Sequence, residues 1–81
     1  MNNKLDDLLP FDAYREMRLE VFPSRTSLEW FTRRNRDKLI EKGALFLIAG
    51  RKLVQPERYD EVVRAEGQRA AEARHPRAGS V

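Results

Sequence analysis

The chain has 81 residues, of which 36% are charged and 41% hydrophobic, a composition typical of one small globular domain. It has no cysteine, which excludes disulfides and thiolate metal sites and favours a cytoplasmic location, and no apolar run approaches the roughly 20 residues of a membrane span. The net charge is +3, and the whole excess lies in residues 24–58, where nine basic side chains stand against four acidic ones, so a polyanionic partner is favoured.

The folded domain is predicted to cover residues 12–73. Before it, residues 1–11 form a leader of leucines among acids and asparagines, which we expect to be partly ordered. After it, residues 74–81 show no packing pattern and are expected to form a disordered tail.

The first element of the domain is predicted to be a short helix capped by Asp12. It would end near Arg18 and bury Tyr14 and Met17, which have i, i+3 spacing. Apolar and polar residues alternate from Met17 onward, which is the pattern of a strand, so a strand that begins there is the alternative to the end of this helix. An extended link over residues 19–24 is expected to follow.

A long basic helix is predicted between Pro23 and Gly43. Ser24, Thr26 or Ser27 can cap its start by accepting a hydrogen bond from a free backbone N–H. Gly43 supplies the left-handed conformation that commonly ends a helix. The helix is predicted to run unbroken between these two signals.

Helical periodicity divides this long helix into an inward and an outward face. The predicted inward face consists of Leu28, Phe31, Thr32, Asn35 and Leu39. Arg33 and Arg34 project outward, whereas Arg36 lies closer to the inward face and is a weaker candidate for contacts. Trp30 lies on the polar side, so it either packs under the N-terminal segment or contacts a partner.

A two-stranded β-hairpin and a final helix are predicted next. Residues 44–48 and 52–54 are short apolar runs joined by a tight turn, with Arg51 and Lys52 at a tip that offers no core contact. Pro56 suits the first position of a helix capped by Gln55. The inward stripe of that helix is predicted to be Tyr59, Val62, Val63 and Ala70.

Residues 22–63 resemble a known family of DNA-binding proteins. The matching segments are Ser27-Leu28-Glu29-Trp30-Phe31-Thr32-Arg33-Arg34, Lys42-Gly43-Ala44-Leu45, Ile48-Ala49-Gly50-Arg51-Lys52-Leu53-Val54 and Pro56-Glu57-Arg58-Tyr59. Together they are similar to the small winged helix-turn-helix proteins of the excisionase and MerR-like type. The expected fold class is therefore α+β and mostly helical, a winged helix-turn-helix with a two-stranded hairpin wing.

The resemblance implies that the long helix enters the major groove of double-stranded DNA while the wing contacts the backbone or the minor groove. A guanidinium fork matches the paired acceptors of guanine, which suits arginines on the helix for base contacts. The candidate DNA-binding residues are Arg25, Thr26, Ser27, Trp30, Arg33, Arg34, Arg51 and Lys52.

Two functions within DNA binding fit the resemblance. One is an excisionase, or recombination directionality factor, which bends DNA and steers a tyrosine recombinase, with further copies of itself on adjacent sites. The other is a transcriptional regulator of a mobile element. The alternative from another class is a protein-interaction module that docks through Trp30 and the C-terminal helix.

The sequence offers no group of residues suited to catalysis. The one histidine, His75, lies in the predicted tail, and there is neither a nucleophilic cysteine nor metal-ligand spacing. The four glycines are scattered rather than gathered in a phosphate-binding loop. We therefore expect a protein that is not an enzyme and that uses neither a metal ion nor a cofactor.

Overall fold

A computed structural model describes residues 4–74 of the protein. Its elements are a short 3-10 helix (Lys4–Asp7), β1 (Leu9–Pro10), α1 (Phe11–Met17), α2 (Arg25–Arg34), α3 (Arg36–Glu41), β2 (Leu45–Ile48), β3 (Arg51–Val54) and α4 (Pro56–Arg74). The prediction of a mostly helical α+β fold is confirmed. Beyond Arg74, the predicted tail lies outside the described residues. Within the described part of the chain, no helix has the length and apolar character needed to cross a bilayer.

The three strands form one antiparallel sheet in the order β1-β3-β2. The predicted hairpin is confirmed, and its two-residue turn has positive φ at both Ala49 (53°) and Gly50 (77°), the geometry that matches the twist of the flanking strands. The third strand was not predicted. It comes from the segment assigned to the leader, where Leu9 pairs with Val54 and makes β3 the central strand.

Helix α1 begins earlier than predicted, at Phe11, and its N-cap residue is Pro10 rather than Asp12. Tyr14 is buried as expected, and the alternative strand is excluded because Met17 is helical and residues 18–21 form a turn. The predicted burial of Met17 is wrong, because this side chain is 49% exposed at the last position of the helix. Phe11 and Tyr14 fill the inward face instead.

The predicted extended link over residues 19–24 is wrong for residues 19–21, which form a turn, whereas Ser24 is extended as predicted. The backbone N–H groups of Val21 and Phe22 both donate to the carbonyl oxygen of Arg18, at 3.0 and 2.8 Å. These hydrogen bonds reverse the chain directly after α1. As a result, Phe22 returns to the core and is buried there.

The predicted long helix is divided at Asn35, which leaves the helical conformation with φ −116° and ψ 23°. The carbonyl oxygen of Phe31 accepts from both the backbone N–H and the side-chain Nδ2 of Asn35, each at 3.0 Å. Asparagine competes for backbone partners in this way and weakens a helix interior. The prediction of one unbroken helix is therefore wrong, although Gly43 (φ 71°) ends α3 as expected.

Helix α4 starts as predicted, with the Gln55 Oε1 atom accepting from the Arg58 N–H at 2.8 Å. Tyr59 and Val62 are buried on its inward face. Ala70 is exposed, because the second half of α4 extends beyond the core, so its predicted inward position is wrong. The core cluster consists of Phe11, Tyr14, Phe22, Leu28, Leu39, Ala44, Leu45, Val54, Tyr59 and Val62.

Two polar connections hold α1 and α2 against α4. The Tyr14 hydroxyl donates to Asp60 Oδ1 at 2.6 Å, and Arg18 donates to both Asp60 oxygens at 3.0 and 2.6 Å. The Thr32 and Tyr59 hydroxyls are hydrogen-bonded at 2.5 Å within the core. The hydrogen bonds from Arg18 lower the pKa of Asp60, whereas burial raises the pKa of Tyr59 to about 12. Helix α4 thereby fixes the position of α2.

Candidate nucleic-acid interface

The start of α2 is fixed by a capping box, and of the three predicted caps Ser24 is the one observed. The Ser24 Oγ atom accepts from the Ser27 N–H at 3.1 Å, and the Ser27 Oγ atom accepts from the Ser24 N–H at 3.3 Å. The Ser27 hydroxyl also donates to the Ser24 carbonyl oxygen at 2.6 Å. Ser27 is thus engaged in the cap, while Thr26 beside it is exposed.

The outer face of α2 carries Thr26, Trp30 and Arg33, which share one row because they are four and three residues apart. Leu28 and Thr32 are buried on the opposite face. Trp30 is 57% exposed, so packing under the N-terminal segment is excluded. The Arg33 guanidinium lies 5.9 Å from the centre of the Trp30 ring, within cation–π distance. The structure therefore presents an aromatic ring and a cation side by side.

A groove of about 490 Å³ separates α2 and α3 from the β2–β3 hairpin. Arg33 and Arg36 line it from the helices, and Lys52 lines it from β3. Arg36, predicted to lie closer to the inward face, is exposed and lines the groove beside the buried Thr32 and Leu45. It follows the break at Asn35, a residue type that disfavours helix interiors.

Arg34 lies on another side of α2 from the groove. With Arg33 and Arg36 it lines a shallow depression at the α2–α3 corner, and it also faces Gly67 and Ala70 of α4. Adjacent residues of a helix point about 100° apart, which explains why Arg33 and Arg34 diverge. The two arginines therefore face different surroundings.

Arg51 and Lys52 are exposed on the hairpin, as predicted. The prediction that both lack a core contact is wrong for Lys52, whose Nζ atom lies 5.0 Å from the centre of the Phe11 ring. Phe11 belongs to the core, so Lys52 covers part of it while its charge stays accessible.

Arg25, at the first position of α2, is already paired with carboxylates. Its Nε atom lies 3.0 Å from Glu29 Oε2, and its Nη1 atom lies 3.5 Å from Asp12 Oδ2. All three side chains are exposed enough for water to weaken these contacts. The charge of Arg25 is nevertheless more compensated than the charges of the other basic residues predicted to contact DNA.

The remaining cations of this region form what we call the basic surface: Arg33, Arg34, Arg36, Arg51 and Lys52. Within residues 5–74, none of these five side chains has a carboxylate oxygen within 4.0 Å. By contrast, two of the five carboxylates of α4 pair with cations elsewhere: Asp60 with Arg18, and Glu66 with Lys38 and Arg69. Much of the basic excess seen in the sequence is therefore without an ion pair, among the described residues, on the α2–α3 corner and the hairpin.

The described residues contain no group of three or more histidine, cysteine, aspartate or glutamate side chains that could hold a metal ion. No protein-family model matches the chain, and comparisons with curated proteins and with solved structures found no match.

Proposed function

We propose that the protein binds double-stranded DNA in a sequence-specific manner, as a winged helix-turn-helix protein. In this arrangement α1, the turn after it and α2 form the helix-turn-helix, and the β2–β3 hairpin is the wing. Helix α2 lies in the major groove, and the wing lies on the backbone or in the adjacent minor groove. The observation that supports this best is the basic surface, because its cations have no carboxylate partner within residues 5–74 and suit phosphates.

The residues of the basic surface have different tasks in this proposal. Arg33 contacts base edges, since it lies in the outward row that begins at Thr26 near the start of α2. Arg34 binds a flanking phosphate from the other side of the helix. Arg36 and Lys52 bind the DNA backbone on either side of the groove. The ring of Trp30 supports the Arg33 guanidinium.

The biological role we propose is that of an excisionase or recombination directionality factor, or of a transcriptional regulator of a mobile element. A tyrosine recombinase and further copies of this chain on adjacent sites are the partners in the first role. Selection of bound fragments from the source genome separates the two roles. Fragments beside an integrase attachment region indicate excision, whereas fragments over a promoter indicate regulation.

DNA binding is tested with two double variants that remove the same charge. Arg33→Ala with Arg36→Ala truncates the basic surface, and Arg64→Ala with Arg74→Ala truncates two exposed cations of α4 that line none of the grooves above. The first pair is expected to weaken duplex binding at least about tenfold, since one lost base contact costs about 1–3 kcal/mol. The second pair is expected to bind almost as the wild type does.

Equal losses in the two double variants would contradict the proposed surface. Failure of the wild-type chain to bind any duplex would contradict the proposed function. Self-association that persists at high salt, without affinity for DNA, would instead support a protein-interaction module docking through Trp30 and α4.

A further inference from the structure

The hairpin carries large apolar side chains that the core does not use. Leu47 is 64% exposed, the highest value among the large hydrophobic residues in the described part of the chain. Its neighbours Phe46 and Ile48 are exposed at 37% and 38%. Leu47 lies in β2, just before the turn formed by Ala49 and Gly50, so it projects near the tip of the hairpin.

Cations surround this apolar tip. Leu47 pairs with Lys52 across the hairpin, so the two side chains lie on the same face of the sheet, and Arg51 follows the turn. Across the groove from Leu47 are Arg33 and Arg36. A protein partner covering Leu47 would also have to desolvate or neutralise these charges. A DNA base step can both cover Leu47 and neutralise these charges, because the apolar faces of its bases lie between two lines of phosphates.

We propose that Leu47 inserts as a wedge between two base pairs from the minor groove and bends the DNA. This inference rests on the proposed DNA binding. Leucine and isoleucine are among the residues that partly unstack base steps in architectural proteins, where the kink is about 20–90° toward the major groove. Arg51 and Lys52 bind the phosphates beside the opened step. A flexible pyrimidine–purine step is the preferred place for insertion.

The test uses the full chain and a short duplex recovered from a random library by selection with the wild-type protein. Fluorophores on the two duplex ends report the bend by energy transfer, and 2-aminopurine at candidate steps reports unstacking. Leu47→Ala removes the wedge, and Leu47→Phe keeps a large apolar one. Leu5→Ala is the matched control, since Leu5 is a 62% exposed leucine in the 3-10 helix, outside both the proposed helix-turn-helix and the wing.

Wild type, Leu47→Phe and Leu5→Ala are expected to bend the duplex and to unstack one step. Leu47→Ala is expected to bind but to leave the duplex almost straight, with 2-aminopurine emission at the level of free DNA. Because Leu47 is exposed, thermal unfolding of this variant should match that of the wild type.

Four results would overturn the wedge. A bend that persists in Leu47→Ala would show that this side chain does not produce it. A wild-type complex with straight DNA would contradict the wedge and leave the proposed DNA binding intact. An absence of any DNA binding would contradict both proposals. A wild-type dimer that Leu47→Ala converts to a monomer, with bending unchanged, would assign the apolar tip to a contact between copies of the chain.

Discussion

Replacing Asp60 with alanine removes the acceptor that joins α1 to α4. Asp60 accepts from the Tyr14 hydroxyl at 2.6 Å and from two nitrogen atoms of Arg18 at 3.0 and 2.6 Å. Because α1 leads through the turn into α2, this contact contributes to the orientation of the proposed DNA-binding helix. We therefore expect the substitution to lower the free energy of unfolding.

The magnitude follows from the exposure of each partner. The Tyr14 side chain is fully buried, so leaving its hydroxyl without an acceptor costs about 1–3 kcal/mol. The Arg18 and Asp60 side chains are 34% and 37% exposed, so their ion pair adds at most about 1 kcal/mol after solvent screening. The total is about 1–4 kcal/mol, or a decrease of about 4–30 °C in Tm for a domain of this size.

Thermal and urea unfolding of the full chain measure this loss, with Glu61→Ala as the control because Glu61 is the exposed acidic neighbour. The pKa of Asp60 is lowered mainly by the Arg18 hydrogen bonds. Its stabilising effect is therefore present above the pKa of the unfolded carboxyl and is lost as pH falls through the lower, folded value. Asp60→Ala should remove this acid dependence. A variant as stable as Glu61→Ala would refute the assigned contact.

Three further predictions concern the proposed interface and the core. Arg33→Ala should lose about 1–3 kcal/mol of binding free energy for a selected site and little for a scrambled duplex, whereas Arg34→Ala should weaken binding to both duplexes alike. If each variant loses affinity in the same proportion on both duplexes, base recognition lies elsewhere. Arg51→Ala with Lys52→Ala should lower affinity for both duplexes and reduce the slope of log affinity against log salt by about one per lost phosphate contact. Unchanged affinity would exclude the wing from the DNA interface. The pKa of Tyr59 is raised from 10.0 to about 12, so its contribution to the free energy of unfolding is fully present below pH 10. Above pH 10 this contribution should fall by about 1.4 kcal/mol per pH unit until the pH reaches the pKa of the folded state. Urea unfolding of Tyr59→Phe should show a shallower alkaline decline, and an identical decline would contradict that pKa.

Local backbone chemistry made several boundaries predictable from the sequence. Gly43 ends α3 in the left-handed conformation, and the two-residue turn at Gly50 brings β2 and β3 together. The Gln55 cap and Pro56 start α4. Each of these signals acts within a few residues, so no tertiary information was needed to recognise it.

Features that depend on distant contacts were not predictable. β1 is only Leu9–Pro10, and its place in the sheet comes from pairing with β3, more than 40 residues away. The connection of Arg18 to Asp60 likewise joins separate helices. The break at Asn35, which the prediction of one continuous helix missed, separates Arg36 from α2 and leaves it exposed beside the groove. Whether Trp30 is buried or exposed could be decided only from the tertiary structure, since its position on the polar side of the helix was compatible with both.

Salt dependence of duplex binding tests the central proposal most directly. Each neutralised phosphate contributes about −0.9 to the slope of log affinity against log salt, so the four proposed phosphate contacts of the basic surface predict a slope of up to about −3.6. A fourfold increase in salt should then weaken binding up to about 150-fold. Fluorescence anisotropy with the full chain and a labelled duplex measures this slope. A slope close to zero, or no binding at low salt, would contradict the assignment of the basic surface to DNA.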